Sequence, residues 1–141
     1  MTVGPTTVID VETLVAAARS ARDRAYAPYS GFAVGAALLT ADGSLVTAAN
    51  VENASYSLGI CAERSAVVAA VADGHLEFVA IAVAGPGLEP VTPCGACRQV
   101  LRELPPGPGL VVLAAGDSGD KILRTTVGEL LPHSFGPENL A

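Results

Sequence analysis

No polar side chain interrupts Phe78 to Ala84, and none interrupts Leu110 to Ala115. Runs this apolar read as strands buried on both faces, so the fold must supply a layer on each side of them. The neighbouring segments have the right character for those layers. Cys61 to Asp73 is rich in Ala and Val at helical period and stops at Gly74, which suits the left-handed position after a helix. Gly85 to Pro93 is a Pro/Gly loop, and Cys94 to Leu104 reads as a second helix ended by Pro105 and Pro106. Lys121 to Thr125 is a candidate fifth strand, Val127 to Leu131 a short helical turn, and Pro132 to Ala141 an irregular tail.

Upstream, Val11, Leu14, Val15, Ala18 and Ala25 fall at helical spacing behind Asp10, which is placed to accept the first free backbone N–H groups. Residues 11–25 are therefore expected to form an amphipathic helix. Phe32 to Thr40 and Leu45 to Val51 flank Ala41-Asp42-Gly43-Ser44, whose Asp-Gly pair favours a tight reversal, so this stretch reads as a β-hairpin. The sum is an α/β fold with helices on both faces of one mixed sheet. At 141 residues, with no repeat and no linker-length Pro/Gly stretch, the chain is expected to be a single domain, residues 1–10 forming an extension ahead of it.

Half the residues are hydrophobic, yet aromatics make up only 4%, so the core must be built from small aliphatic side chains. Charged residues are only 16%, which leaves apolar surface to be covered and points to self-association. A net charge of -6, with no Lys/Arg run, disfavours a phosphate backbone as partner. The N-terminus lacks a basic start followed by an apolar stretch, so no membrane partner is expected and a cytoplasmic location is.

Three cysteines cannot all pair within one chain. Cys94 and Cys97, two residues apart between them, suit either one metal ion or a redox pair. Cys61 opens one predicted helix as Cys94 opens the other, and a crossover connection would bring both helix starts to one sheet edge. All three sulfurs then converge where unpaired N–H groups favour thiolates. Neither His75 nor His133 lies nearby, so a tetrahedral zinc would keep one position open, as catalytic zinc sites do. Glu63, in the first turn after Cys61, can reach towards that position and move protons, although a carboxylate there also merely complements the helix dipole. Arg64 is placed to offset the excess negative charge of three thiolates, and Arg98 is either a second such group or a solvated helix residue. A structural zinc module and a thiol redox protein are the competing classes; the first usually has four protein ligands, and the second leaves Cys61 and Glu63 without a role.

Cys61-Ala62-Glu63 with Pro93-Cys94-Gly95-Ala96-Cys97 matches the zinc deaminase pattern. With Tyr29-Ser30-Gly31-Phe32-Ala33-Val34-Gly35-Ala36-Ala37-Leu38, Asn50-Val51-Glu52-Asn53-Ala54-Ser55-Tyr56 and Glu129-Leu130-Leu131-Pro132-His133-Ser134-Phe135-Gly136-Pro137, the chain resembles the short, homotetrameric, zinc-dependent cytidine deaminases from about Ala16 to Leu140. The resemblance implies a three-layer αβα sandwich on a mixed, mostly five-stranded sheet. It implies one zinc per subunit on Cys61, Cys94 and Cys97, with Glu63 as proton shuttle. It implies a free cytosine nucleoside as substrate, with Phe32 packed on the substrate and Asn50 and Glu52 on the ribose hydroxyls, although an Asn and a Glu at this strand end could equally cap it. Ala62 joins the substrate-binding set, and the backbone carbonyl of Thr92 orients the amino group. Phe135, in the tail 132–141, is expected to reach a neighbouring subunit's site. The reaction implied is cytidine or deoxycytidine to uridine or deoxyuridine plus ammonia, as in pyrimidine salvage. A modified cytosine nucleoside such as blasticidin S is the alternative substrate, which the Asn50/Glu52 pair disfavours. Two positions depart from the family pattern: Leu104 to Gly109 looks long, and Ser57 stands where relatives often have Pro.

Overall fold

A computed structural model describes residues 8–141. Most of the expected extension, residues 1–7, lies outside the described part. Helix α1 (Val11–Ala21) starts at Asp10, whose carboxylate accepts from the Thr13 amide at 3.2 Å, and tightens into a 3-10 turn at Arg22–Arg24. The α-helix therefore ends earlier than the apolar spacing suggested, because Ala25 is already extended.

Strands β1 (Gly35–Thr40) and β2 (Leu45–Ala49) form the hairpin, with Gly43 at φ 88° in its turn. Both strands are shorter than expected: residues 32–34 and 50–51 lie outside the ladder. Helix α2 (Ala62–Ala72) follows, its end marked by Gly74 at φ 90°, and leads into β3 (Phe78–Ala84). Helix α3 (Gly95–Leu101) connects β3 to β4 (Val111–Ala115), and β5 (Ile122–Thr126) runs directly into the short α4 (Val127–Leu130). Helix α3 stops short of Leu104, and single 3-10 turns occupy Tyr56–Leu58, Gly107–Gly109 and Pro137–Asn139 in the tail expected to be irregular.

The five strands lie in the order β2-β1-β3-β4-β5. Only β3 and β4 are parallel; the other neighbours are antiparallel, which makes the sheet mixed as expected. Every residue of β3 is buried, because α1 covers one face and α2 and α3 cover the other. Alternation along the strands sorts the two cores. Ala37, Ala80, Ala82 and Leu113 face Leu14, Val15 and Ala18 of α1, while Leu38, Ile81, Val83 and Val112 face Ala66, Ala70 and Leu101. On the α1 side the buried sheet residues are mostly alanines, with Val79 and Leu113 among them, so the helix sits close. A Cβ on Gly35 would lie 2.0 Å from the Ala18 carbonyl oxygen.

Candidate metal centre and cleft

Cys61 and Cys94 are the residues immediately before α2 and α3, both in extended conformation, and neither side chain caps its own helix. Their sulfurs are thus free to turn outward. Cys97, fully buried one turn into α3, completes the group. The three sulfurs lie within 4.8 Å of one another, with Cys94 and Cys97 at 3.5 Å. A tetrahedral zinc with bonds of about 2.3 Å spaces its sulfurs by about 3.8 Å, so this set needs only small adjustments, Cys94 and Cys97 spreading slightly, to hold one ion.

The electrostatics favour a cation at the centre of the group. Burial, then the charges of Glu63 and Cys61, push the Cys97 thiol well above the ordinary range. Burial also opposes ionisation of Cys94, but the backbone N–H groups of Cys97 and Ala96 and the neighbouring sulfurs bring its pKa below the usual thiol value. Full deprotonation of all three calls for a positive ion among them. Arg64 supplies part of that charge. Its Nη2 lies 3.4 Å from the Cys61 sulfur, and this contact, with Cys97 adding to it, holds the guanidinium firmly protonated. Its Nε is buried without a hydrogen-bond partner among the described residues.

Beside the sulfurs opens a cleft of about 370 Å³, within the range of small-molecule sites. Phe32, Asn50, Glu52, Cys61, Ala62, Glu63, Thr92 and Cys94 all line it. Cys97 lies beneath, and Arg64 stands behind Cys61. Glu63 is only 4% exposed, and burial raises its pKa above the carboxylate norm despite the opposing charge of Arg64. Phe135 does not line the cleft of its own chain. It is 58% exposed, and its carbonyl accepts from Gln99 Nε2 at 2.9 Å.

Asn50 and Glu52 face the cleft and also bond backbone, as the strand-end reading of this pair allowed. The Asn50 amide donates to the Phe32 carbonyl and accepts from the Val34 amide, both at 2.9 Å, and so replaces the missing strand partner of residues 32–34. Glu52 accepts from the amides of Tyr29 and Ser30 at 3.0 and 3.1 Å, and from the Ser30 hydroxyl. The Ser30 hydroxyl, ahead of both amides, keeps the Glu52 carboxyl below its ordinary pKa. Each side chain still retains hydrogen-bonding capacity: the amide keeps one N–H and one lone pair, and the carboxylate keeps an acceptor site.

Ser30, Val34 and Val91 also line the cleft and were not anticipated. Ser30 bonds both Glu52 and the Phe32 amide, at 2.9 Å for the latter; its place in the Tyr29-Ser30-Gly31-Phe32 turn was the signal available. Val91 packs where a Cβ on Gly85 would clash, a contact no local pattern announces.

A family profile described as the cytidine and deoxycytidylate deaminase zinc-binding region matches residues 9–114. The chain is 49% identical over 132 residues to a cytidine deaminase of Halalkalibacterium halodurans, covering 94% of this chain and 98% of that protein. It is 48% identical over 133 residues to a cytidine deaminase of Sporosarcina psychrophila, covering 94% and 96%. The crystal structure of a cytidine deaminase from Burkholderia pseudomallei superposes with a TM-score of 0.85 at 50% identity, covering 90% of this chain and all of that one.

Proposed function

The chain belongs to the cytidine and deoxycytidylate deaminase family, and from that premise we propose that it hydrolyses free cytidine and deoxycytidine to the uracil nucleosides and ammonia. One observation carries the reading: a single cleft presents a thiol cluster sized for zinc, a buried carboxyl next to it, and hydrogen-bonding side chains further along its wall. The fold and the zinc-binding character agree with the expectation drawn from the residues.

Zinc held by Cys61, Cys94 and Cys97 supplies the Lewis acidity that makes water a nucleophile near neutral pH. The chain's own groups do the rest. Glu63 takes one proton from water and passes it to N3 of the pyrimidine as the water oxygen bonds C4, then takes the second proton from that oxygen and delivers it to the amine as the C4–N bond breaks, leaving the C4 carbonyl. A carboxyl with a raised pKa is suited to carrying a proton in both directions near neutral pH. The Thr92 carbonyl accepts from the 4-amino group, Phe32 and Ala62 bound the base, and the free valences of Asn50 and Glu52 take ribose hydroxyls. Arg64 offsets the charge of the thiolates.

The same reading makes the enzyme a homotetramer whose Phe135 enters a neighbouring subunit's site, working in the cytoplasm in pyrimidine salvage as a single domain. The apolar surface and the exposure of Phe135 support it. No described helix is long and apolar enough to cross a membrane.

Incubating the purified protein with cytidine, with a chelator-treated sample alongside, tests the proposal. Metal-dependent formation of uridine is expected. Bound zinc with unchanged cytidine and deoxycytidine would refute the substrate, and absence of zinc would refute the site.

A further inference from the structure

Arg98, on α3 one residue beyond Cys97, forms no ion pair among the described residues. A half-buried guanidinium is well suited to a carboxylate. This one spends its donors on three neutral oxygens instead. Nε donates to the Pro93 carbonyl at 2.7 Å, Nη2 to the Thr92 hydroxyl at 3.2 Å, and Nη1 to the Leu130 carbonyl at 2.8 Å. Tying α3 to the end of α4 needs only the last of these. The other two grip consecutive residues of the segment leading into Cys94, and the Pro93 carbonyl belongs to the peptide unit that ends at the Cys94 nitrogen.

We propose that Arg98 is a positioning residue for the deamination: its rigid fork fixes the Thr92–Pro93–Cys94 turn, and thereby the aim of the Thr92 carbonyl at the substrate's 4-amino group. The inference rests on the deaminase reading above. In the ground state that amino group is conjugated with the ring. In the transition state it is tetrahedral and gaining a proton, which makes it a stronger donor. A carbonyl held in place for it stabilises the transition state more than the bound substrate, so its alignment enters kcat rather than KM. Lysine keeps the charge but offers a flexible point donor, which cannot hold Thr92, Pro93 and Leu130 together.

The test uses the zinc-loaded full-length protein, Arg98→Met and Arg98→Lys, with zinc per chain, cytidine kinetics and uridine affinity measured on each. Uridine carries an oxygen at C4 and has no amino group for Thr92 to receive. Zinc content and uridine affinity are expected to stay within about twofold of the parent and KM within about threefold, while kcat falls roughly 10–100-fold in both variants. A kcat within twofold of the parent overturns the proposal. So does uridine affinity or zinc content falling in step with kcat, because either means a general loosening of the site. Should Arg98→Met not fold, Arg98→Lys decides on the same readings. A parent protein that leaves cytidine and deoxycytidine unchanged defeats the deaminase reading itself, whereas an active parent with unaffected variants defeats only the role of Arg98.

Discussion

At the scale of single residues, the proposed reading gives Glu63 and the three cysteines separate work, since the carboxyl is buried beside the sulfurs but outside the sulfur group. Glu63→Ala is therefore expected to keep its zinc while turnover falls roughly 10²–10⁴-fold, measured by metal analysis and cytidine conversion on one preparation. Near-normal turnover would remove the assigned role. Cys61→Ala is expected to lose zinc and activity together; full occupancy in that variant would strike Cys61 from the ligand set. The grouping of the three sulfurs was legible in the sequence because helix starts can be located from residue types and two starts at one sheet edge can converge, whereas the role proposed for Glu63 rested on the resemblance. The clasping of residues 29–34 by Asn50 and Glu52 was not legible. Its partners are mostly backbone groups far away in the chain, and backbone groups carry no signature in the sequence.

At the scale of elements, apolar runs, turn residues and helical spacing located all five strands and the main helices; their ends moved, and short 3-10 turns were added between them. Those ends depend on contacts across the fold, as where Asn50 takes over from the β-ladder. Gly35 shows the same limit: in the sequence it is a glycine opening an apolar run, and in the fold it is the point where α1 touches β1. Gly35→Ala is expected to cost about 1–3 kcal/mol or more, seen as a lower thermal midpoint by calorimetry, since the clash is with helix backbone. An unchanged midpoint would mean that α1 can shift at little cost. In the β1–β2 turn, the Thr40 hydroxyl, and after it the Ser44 amide, lower the Asp42 pKa from 3.8 to about 2. A depressed folded-state pKa contributes stability above the unfolded value and loses it as pH falls through the folded one. The stability difference between the parent and Asp42→Ala should thus be full near pH 6 and shrink between about pH 4 and 2. A gap independent of pH would assign the effect to packing.

At the scale of the whole molecule, a large share of the surface is apolar. Tyr26, Tyr29, Phe32, Val51, Tyr56 and Leu58 are exposed on the segments between α1 and α2, with Tyr56 at 79%, and Val68, Val71 and Leu76 are exposed on and just after α2. Low charge content foretold the amount of this surface but not its place, which depends on which loops the sheet brings together. Sedimentation is expected to give four times the chain mass, and a monomer that deaminates cytidine at full rate would refute the shared site. The position of Cys61 ahead of α2 and of Cys94 and Cys97 at α3 has a further consequence. A metal ion held by the three sulfurs would tie the start of α2 to the start of α3 across β3 and the Gly85–Pro93 loop, and because the site exists only in the fold its binding free energy would add to folding stability. A chelator is therefore expected to lower the thermal midpoint as well as the turnover, and the metal supply during folding to matter as much as during the assay.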